Sequence, residues 1–408
     1  MTHPANGNVT AFGGAGNDQA APTGPKEDML PFAADIFAAR LRIVQADIEA
    51  RGLAGALLFD PENMFWLTGY QTIGYFTFQT MYVPRSGEPV LVARVVNRDL
   101  ALAHPTIGRF VDIVDTADPV TVLADFLESS VGTGRPVGLE TRSWYLTVRD
   151  YHHLKSRCAL ELVDWNGVIE PHRIVKSAEE IERMRQAARA AEAGLRAAIN
   201  AVAPGRTEND IAAAMYSANI AAGSEYLGHP PLVVTGRTTA LCFAMWRRRE
   251  IKEGDVVLLE AAGCIDRYHA MLSRPVVVGA PQARHREAAD ALREVLETAI
   301  AAIRPGLTAG DRTVVDAIRA LKARGLDTYF RHRAAYGIGI GFPPNWSEGH
   351  IYAIRPGDPL VLQPNMTFHV IPTLFLEDFG MCFSDSVRVT DEGCEPLTSF
   401  PRKLFVAE

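Results

Sequence analysis

The chain has 408 residues, of which 48% are hydrophobic and 22% charged, and its formal net charge is −7. This length exceeds what one small core organises, so two domains are expected, with the composition of an ordinary globular protein. The acidic balance speaks against a nucleic-acid partner, because the one sharp basic run, the arginines at 247–249, is more simply a solvated loop.

Targeting and redox signals are sparse. No apolar run approaches the roughly 18 residues of a membrane helix, and no basic region followed by an apolar stretch marks the N-terminus. We therefore expect no membrane partner. The cysteines are odd in number, scattered and without CxxC spacing, which predicts free thiols, a cytoplasmic location and no structural zinc.

The first part of the chain divides into an arm and a domain. Residues 1–29 are rich in Gly, Asn, Pro and Ala, and we predict a disordered or loosely docked arm. Residues 30–170 alternate helix and strand signals, which predicts an α/β domain. Helical periodicity begins near Phe32 and ends at Gly52. The predicted strands are AGALLFD, FTFQTMYVP, PVLVARV, VGLE and ALELVD.

A long amphipathic helix opens the second predicted domain, residues 171–408. Ser177 and Glu180 have the spacing of a capping box. Within this domain, Pro-Gly-x-Thr-x-x-Asp occurs twice, each time after an Ala-rich helix, with Thr207 and Thr308 as candidate N-caps. The β-like segments that follow are PLVVTG, DVVLLEAAG and SRPVVVG, then PLVLQ, MTFHVIP and SDSVRVT. Two related halves around a cleft are expected, with a chance match of a common helix-start motif as the alternative.

Several segments of this chain resemble the pita-bread superfamily of creatinases, prolidases and methionine aminopeptidases. They are KSAEEIERMRQAA, DVVLLEAAGCIDRYHAMLSR, YGIGIGFPP, MTFHVIP and SDSVRVTDEG. The resemblance implies an α/β (α+β) fold, in which a creatinase-type N-terminal α/β domain precedes a pseudo-twofold pita-bread domain.

The metal site of the peptidase relatives is altered. Those enzymes use Asp, Asp, His, Glu and Glu, hard ligands that suit a pair of divalent ions. The resemblance places at these positions Glu260, Met271, Tyr336, Ile371 and Ser384. If the alignment is shifted so that Asp385 or Asp266 takes a ligand position, one metal ligand is restored, but not all five. We therefore expect no metal and no cofactor, which speaks against a two-metal peptidase and against an iron-dependent DMSP lyase.

The departures resemble the metal-independent branch, in particular the ectoine hydrolases. The matching segments include EAAGCIDRYHAMLSR, GIGIGFPPNW, GDPLVLQPNMTFHVIP, FLEDFG and PRKLFV. Members of that subfamily open a cyclic amidine in a small zwitterion. In this superfamily the N-terminal domain of one subunit covers the cleft of the other, which implies a homodimer. One departure is Phe243, which stands where the metal-independent hydrolases carry a histidine.

Four residues are candidates for catalysis. Glu260 follows an apolar run and could attack an amidine carbon or hold an amidinium as counter-ion. The alternative is a remnant paired with Arg274 or Arg267. Strand period places His269 on the face of Met271, and His369 on the face of Ile371. Either histidine could move protons or be a satisfied core residue. Tyr336 could donate to a developing anion or fill the space of the missing imidazole.

Six residues are candidates for substrate binding. Glu377 and Asp378 could bind a cationic group or form a solvated hairpin tip. Trp346, Tyr75 and Phe76 could form an aromatic wall around a compact cation, the last two acting in trans, with ordinary packing as the alternative. The sixth residue, Phe243, indicates a drier pocket than a metallopeptidase has.

The sequence therefore predicts a homodimeric, metal-independent hydrolase that cleaves a C–N bond in a small zwitterionic substrate, of the cyclic amidine or guanidino type. A lyase acting on a related solute is one alternative. A non-catalytic binding module is another, although such modules usually carry long charged extensions that this chain lacks.

Overall fold

A computed structural model describes residues 29–131 and 134–408, without the side chains of residues 311–314. The predicted N-terminal arm, apart from Met29, lies outside the described residues. Within the described part of the chain, no helix is long and apolar enough to cross a membrane. All five cysteines are free thiols, as predicted.

The N-terminal α/β domain is built on one six-stranded sheet with the order β4-β3-β2-β1-β5-β6. Its strands are Gly55–Leu58 (β1), Thr80–Pro84 (β2), Val90–Arg94 (β3), Arg109–Ile113 (β4), Val137–Leu139 (β5) and Leu162–Asp164 (β6). Its helices are Ala34–Ala50 (α1), Pro61–Thr68 (α2), Arg98–Leu102 (α3), Pro119–Ser130 (α4), Val148–Arg157 (α5) and Glu170–Ile174 (α6). The five predicted strands are confirmed, and β4 is an additional one.

The pita-bread domain carries a ten-stranded sheet with the central order β17-β16-β13-β10-β9-β8-β7. Its longer strands are Leu232–Thr235 (β7), Val256–Ile265 (β8), Tyr268–Val278 (β9), Ala335–Phe342 (β10), Thr367–Val370 (β13) and Asp385–Val389 (β16). The shorter ones are Asn345–Ser347 (β11), Ala353–Ile354 (β12), Thr373–Phe375 (β14), Gly380–Cys382 (β15), Cys394–Pro396 (β17) and Phe405–Ala407 (β18), of which β14 and β15 form a separate hairpin. The helices are Ala178–Ala201 (α7), Glu208–Ala221 (α8), Ala283–Ala302 (α9) and Ala309–Lys322 (α10).

The two helix pairs of this domain begin in related ways. Thr207 caps α8 through a reciprocal capping box with Asp210, whereas Thr308 stands at the N-cap of α10 without a capping hydrogen bond from its side chain. Each threonine forms an isolated bridge, Thr207 with Glu250 and Thr308 with Val361. The prediction of a strand at PLVLQ is wrong, because this segment forms backbone hydrogen bonds with the loop before α10 and joins no sheet.

Buried polar contacts dock the two domains. The predicted capping box at the start of α7 is confirmed, and Glu180 also accepts hydrogen bonds from Arg40 and Tyr268. A second network begins at Glu348, which is fully buried and binds both Arg173 and Lys176. Arg173 also donates to Asn63, and Asn63 donates to Glu140. Glu140 in turn accepts a hydrogen bond from the backbone N–H of Phe59, the residue that follows β1. These contacts fix the N-terminal domain against the loop that follows β11.

Candidate active site

A cavity of about 330 Å³ opens where β8, the hairpin β14–β15 and the segment around β10 and β11 meet. Its walls are mostly aromatic and aliphatic side chains. Glu260 lies on β8, opposite Leu232 of β7 and Ser273 of β9. Trp144 of the N-terminal domain also lines the cavity and is 81% exposed, so it stands at the open side.

The Glu260 carboxylate is buried without a protein partner. It is 4% exposed, and among the described residues no donor forms a hydrogen bond with it. His369 lies beside it, with Nδ1 3.9 Å from Oε1 of Glu260. Burial raises the pKa of Glu260 to about 8, because an ionised carboxylate loses hydration there and gains no compensating contact.

The alternative reading of Glu260, a remnant paired with an arginine, is excluded by the positions of both arginines. Arg274 pairs with Asp385 and donates to the carbonyl of Ser384. Arg267 donates to the carbonyls of Gly341 and Tyr226. The carboxylate is therefore left facing the cavity.

A chain of hydrogen bonds runs from the cavity wall into the protein. Trp346 Nε1 donates to Tyr336 Oη over 3.3 Å, and Tyr336 Oη lies 2.7 Å from His369 Nδ1. His369 Nε2 lies 2.7 Å from Ser384 Oγ. An indole N–H can only donate, so Tyr336 Oη accepts from Trp346, and its phenol proton can be donated to His369 Nδ1 when the imidazole carries its own proton on Nε2, facing Ser384.

Burial sets the protonation of this chain. It lowers the pKa of His369 well below its usual value, with a smaller contribution from His332. It raises the pKa of Tyr336 well above its usual value, and the nearby Glu260 adds to this. Both groups are therefore neutral near pH 7, and the phenol proton lies between Tyr336 and an imidazole that can accept it.

The structure does not bring His269 to the cavity. The residue is fully buried, its Nε2 accepts a hydrogen bond from the Gly228 backbone, and its Nδ1 lies 2.9 Å from the Arg267 carbonyl. Both ring nitrogens are thus used by the backbone, and burial lowers the pKa of His269 well below its usual value. This is the arrangement of a satisfied core histidine.

The five positions of the family's metal ligands do not form a metal site in this chain. Ile371 lines the cavity, Met271 is fully buried with its backbone N–H bound to Ser386, and Ser384 binds His369. Glu260 is the one carboxylate in the set, which is a poor match for ions that prefer several hard oxygen ligands. Within the described residues, no group of three or more His, Cys, Asp and Glu side chains is arranged to hold a metal.

Of the predicted aromatic residues, Trp346 and Phe243 line the cavity. Phe243 is 73% exposed and has a φ of 60°, a left-handed conformation that is strained for a bulky residue. Tyr75 does not line the cavity; its hydroxyl donates to the carbonyl of Pro343, the residue before Pro344 of the wall. Phe76 is 76% exposed and is not part of the wall.

Glu377 and Asp378 lie at the tip of the β14–β15 hairpin, outside this cavity. Asp378 forms an exposed ion pair with Arg284. The placement matches the solvated hairpin tip, because both residues are exposed and neither faces the cavity that contains Glu260.

Sequence reasoning missed two histidines and an arginine of the cavity wall, His229, His332 and Arg333. The two histidines have Nδ1 next to a backbone carbonyl, of Pro230 and Arg333 respectively, so the ring proton sits there and Nε2 is left as an acceptor. Burial lowers the pKa of both. The run of basic residues just before the glycine-rich strand was the available signal for His332 and Arg333.

Comparison with known families gives two matches that together span most of the chain. The model of metallopeptidase family M24 matches residues 182–391. The model of the creatinase/prolidase N-terminal domain matches residues 40–175.

Similar proteins include both a C–N hydrolase and dipeptidases. The ectoine hydrolase of Halomonas elongata is 31% identical over 401 residues, with 92% of this chain and 98% of that protein covered. A probable dipeptidase PepE of Mycobacterium bovis is 29% identical over 384 residues, with 92% and 98% covered.

Solved structures show the same fold. Dipeptidase PepE from Mycobacterium ulcerans has a TM-score of 0.76 at 25% identity, covering 92% of this chain and 99% of that one. A prolidase from Thermococcus sibiricus has a TM-score of 0.81 at 22% identity, covering 92% and 100%, a likeness that bears on the fold alone.

Proposed function

The chain belongs to metallopeptidase family M24. We propose that it is a metal-independent hydrolase cleaving a C–N bond in a small zwitterionic nitrogen compound. The substrate class is a cyclic amidine or a guanidino compound. The observation that carries the proposal is the unpaired Glu260 carboxyl group in a cavity walled mostly by aromatic and aliphatic side chains, at a site whose other ligand positions hold Met271, Tyr336, Ile371 and Ser384.

The relatives support a hydrolase of this family. The residues at the metal-ligand positions favour one kind of relative over the other. The dipeptidase relatives belong to a metallopeptidase family, whereas this chain keeps one carboxylate where that chemistry needs a cage of them. The similarity to an ectoine hydrolase over nearly the whole chain favours a non-peptide C–N bond.

In the proposed reaction, Glu260 as a carboxylate attacks the electrophilic amidine carbon or holds the amidinium as its counter-ion. One water is consumed, one C–N bond breaks, and the leaving nitrogen takes up a proton. The Tyr336–His369 pair lies next to Glu260 and can move that proton. His229 and His332 offer neutral imidazoles at the cavity wall in place of the histidine missing at Phe243.

Activity should rise with pH through the titration of Glu260. Its pKa of about 8 means that the carboxyl is mostly protonated at pH 7, and the reactive carboxylate forms as the pH increases. We expect kcat/KM to increase by about tenfold per pH unit well below the pKa, and to level off above it. A pH profile with ectoine as substrate measures this. A profile that is flat or falls over this range contradicts a role for the ionised form.

Metal removal should leave the site competent. In a thermal-shift screen of metal-stripped protein, we expect one zwitterion among ectoine, hydroxyectoine, creatine and DMSP to raise the melting temperature. A ligand at about 100 times its Kd adds roughly 2.7 kcal/mol to the stability of the folded state. Mn²⁺, Zn²⁺ and Fe²⁺ should give no comparable shift. Strong stabilisation by a metal would contradict the proposal and favour a metal-dependent peptidase or lyase instead.

A cytoplasmic homodimer completes the proposal. Ile73 and Phe76 form an exposed apolar projection of the N-terminal domain, 61% and 76% exposed. Such a projection suits contact with the open side of a partner's cavity, where Trp144 and Phe243 are also exposed.

A further inference from the structure

Arg333 is held in a fixed position at the wall of the cavity. It lies two residues before β10 and is partly buried. Its Nη1 donates to the Gly349 carbonyl over 2.9 Å, and its guanidinium carbon lies 4.9 Å from the centre of the Tyr336 ring. One N–H and one face of the guanidinium are thereby used, and its other donors remain available.

Arg333 lacks a carboxylate partner among the described residues, unlike the buried arginines of the core. Arg173 pairs with Glu348, and Arg274 pairs with Asp385. Burial lowers the pKa of Arg333, which expresses the cost of an uncompensated charge. A half-buried guanidinium that no carboxylate of the described residues neutralises is a candidate site for an anion.

Tyr336 stands between this cation and the carboxylate of Glu260. Its ring lies against Arg333, while its hydroxyl binds His369, which in turn lies beside Glu260. When Glu260 is ionised, the cavity presents one negative and one positive group that do not pair with each other. A ligand with charges of both signs could satisfy both at once.

We propose that Arg333 binds the carboxylate of the substrate and selects acids over their carboxamides. The inference rests on the proposed function and deepens it, because it assigns the anionic half of the zwitterion to a residue. The cationic amidine or guanidino group then lies toward Glu260. A planar guanidinium suits a carboxylate, which it can bind through two parallel hydrogen bonds.

The test is the binding of matched acid and carboxamide pairs to metal-stripped protein, measured by calorimetry. The pairs are ectoine, creatine and glycine betaine, each with its carboxamide. The wild-type protein should prefer at least one acid. In Arg333→Gln the affinity for that acid should fall by about 10- to 100-fold, the loss expected for a charged hydrogen bond, while carboxamide binding stays unchanged. Arg333→Lys should retain part of the preference.

Arg331 offers a matched control, because it is exposed, lies two residues away and lines a different depression. Arg331→Gln should bind like the wild type. Equal weakening of acid and carboxamide in Arg333→Gln would overturn the proposal and indicate a structural role beside Gly349. No acid preference in the wild type for any pair would also overturn it. A protein that prefers an acid but hydrolyses none keeps this inference and refutes the proposed function.

Discussion

Replacing Glu260 by glutamine should abolish turnover and leave the fold intact. The amide has the size of the carboxyl group but is not a nucleophile and carries no charge to hold an amidinium. Loss of a residue in either role commonly costs at least about a thousandfold in kcat. The measurement is product formation from ectoine in water enriched in heavy oxygen, because a hydrolase places solvent oxygen in its product and a lyase does not.

The stability of the same variant provides an independent check. Since the folded-state pKa of Glu260 is about 8 against an ordinary 4.5, the folded protein holds a proton that the unfolded chain releases between these values. Wild-type stability is thus favoured below pH 4.5 and falls as the pH rises toward 8. Glu260→Gln lacks this loss, so it should be at least as stable as the wild type at alkaline pH.

Glu287→Gln is the matched control for both measurements, because Glu287 is exposed on α9 and is not part of the cavity lining. It should keep wild-type turnover. Full turnover in Glu260→Gln would refute the proposed chemistry, and an unfolded variant would show that the carboxyl group is structural.

Replacing Glu348 by glutamine should strongly destabilise the folded protein. Glu348 is fully buried and pairs with both Arg173 and Lys176, with N–O distances of 2.8 and 2.7 Å. Burial acts to raise its pKa, but the Lys176 and Arg173 cations prevail and lower it. Removing this charge leaves two buried cations unpaired, which costs about 3–5 kcal/mol.

The measurement is the free energy of unfolding from denaturant titration. Glu49→Gln is the matched control, because Glu49 pairs with Arg85 at an exposed position and should change stability by less than about 1 kcal/mol. Similar small effects of both substitutions would mean that the buried network contributes little to domain docking.

Much of the fold could be predicted because local patterns and tertiary contacts agree. The capping box of Ser177 and Glu180 is a short-range signal, and the structure forms it. The segment PLVLQ shows where local reasoning ends. Its apolar composition indicates a strand, but Leu360 and Leu362 bond to the backbone around Leu307 and Ala309, and the segment joins none of the described sheets. Whether a segment finds a strand with which to pair depends on the whole fold and not on its own sequence.

The candidate site shows the same division. Strand period correctly gives the face on which His269 lies, since Cys264 pairs with His269 and Ala262 with Met271 in one continuous register. The period does not tell how far along the β8–β9 hairpin a residue lies relative to the cavity. His269 lies at a position where its Nε2 accepts a hydrogen bond from the Gly228 backbone. Glu260 and Tyr336, by contrast, were located through the family resemblance, and both line the cavity.

Arg333 and Trp144 could not be placed from the sequence, because each reaches the cavity from a loop. Trp144 comes from the N-terminal domain and Arg333 from the segment before β10. No periodicity connects residues this far apart in the chain. Their meeting depends on domain docking, which in turn depends on buried contacts such as Glu348 with Arg173.

The exposure of Trp144 gives this protein an internal optical reporter. Three of the five tryptophans, Trp66, Trp165 and Trp346, are at most 5% exposed, and Trp246 is partly covered, whereas Trp144 is 81% exposed beside the cavity. A collisional quencher such as acrylamide reaches that indole first. Occupancy of the cavity, or a second subunit seated over it, would shield the same fluorophore, so emission lifetime follows both events without any added label.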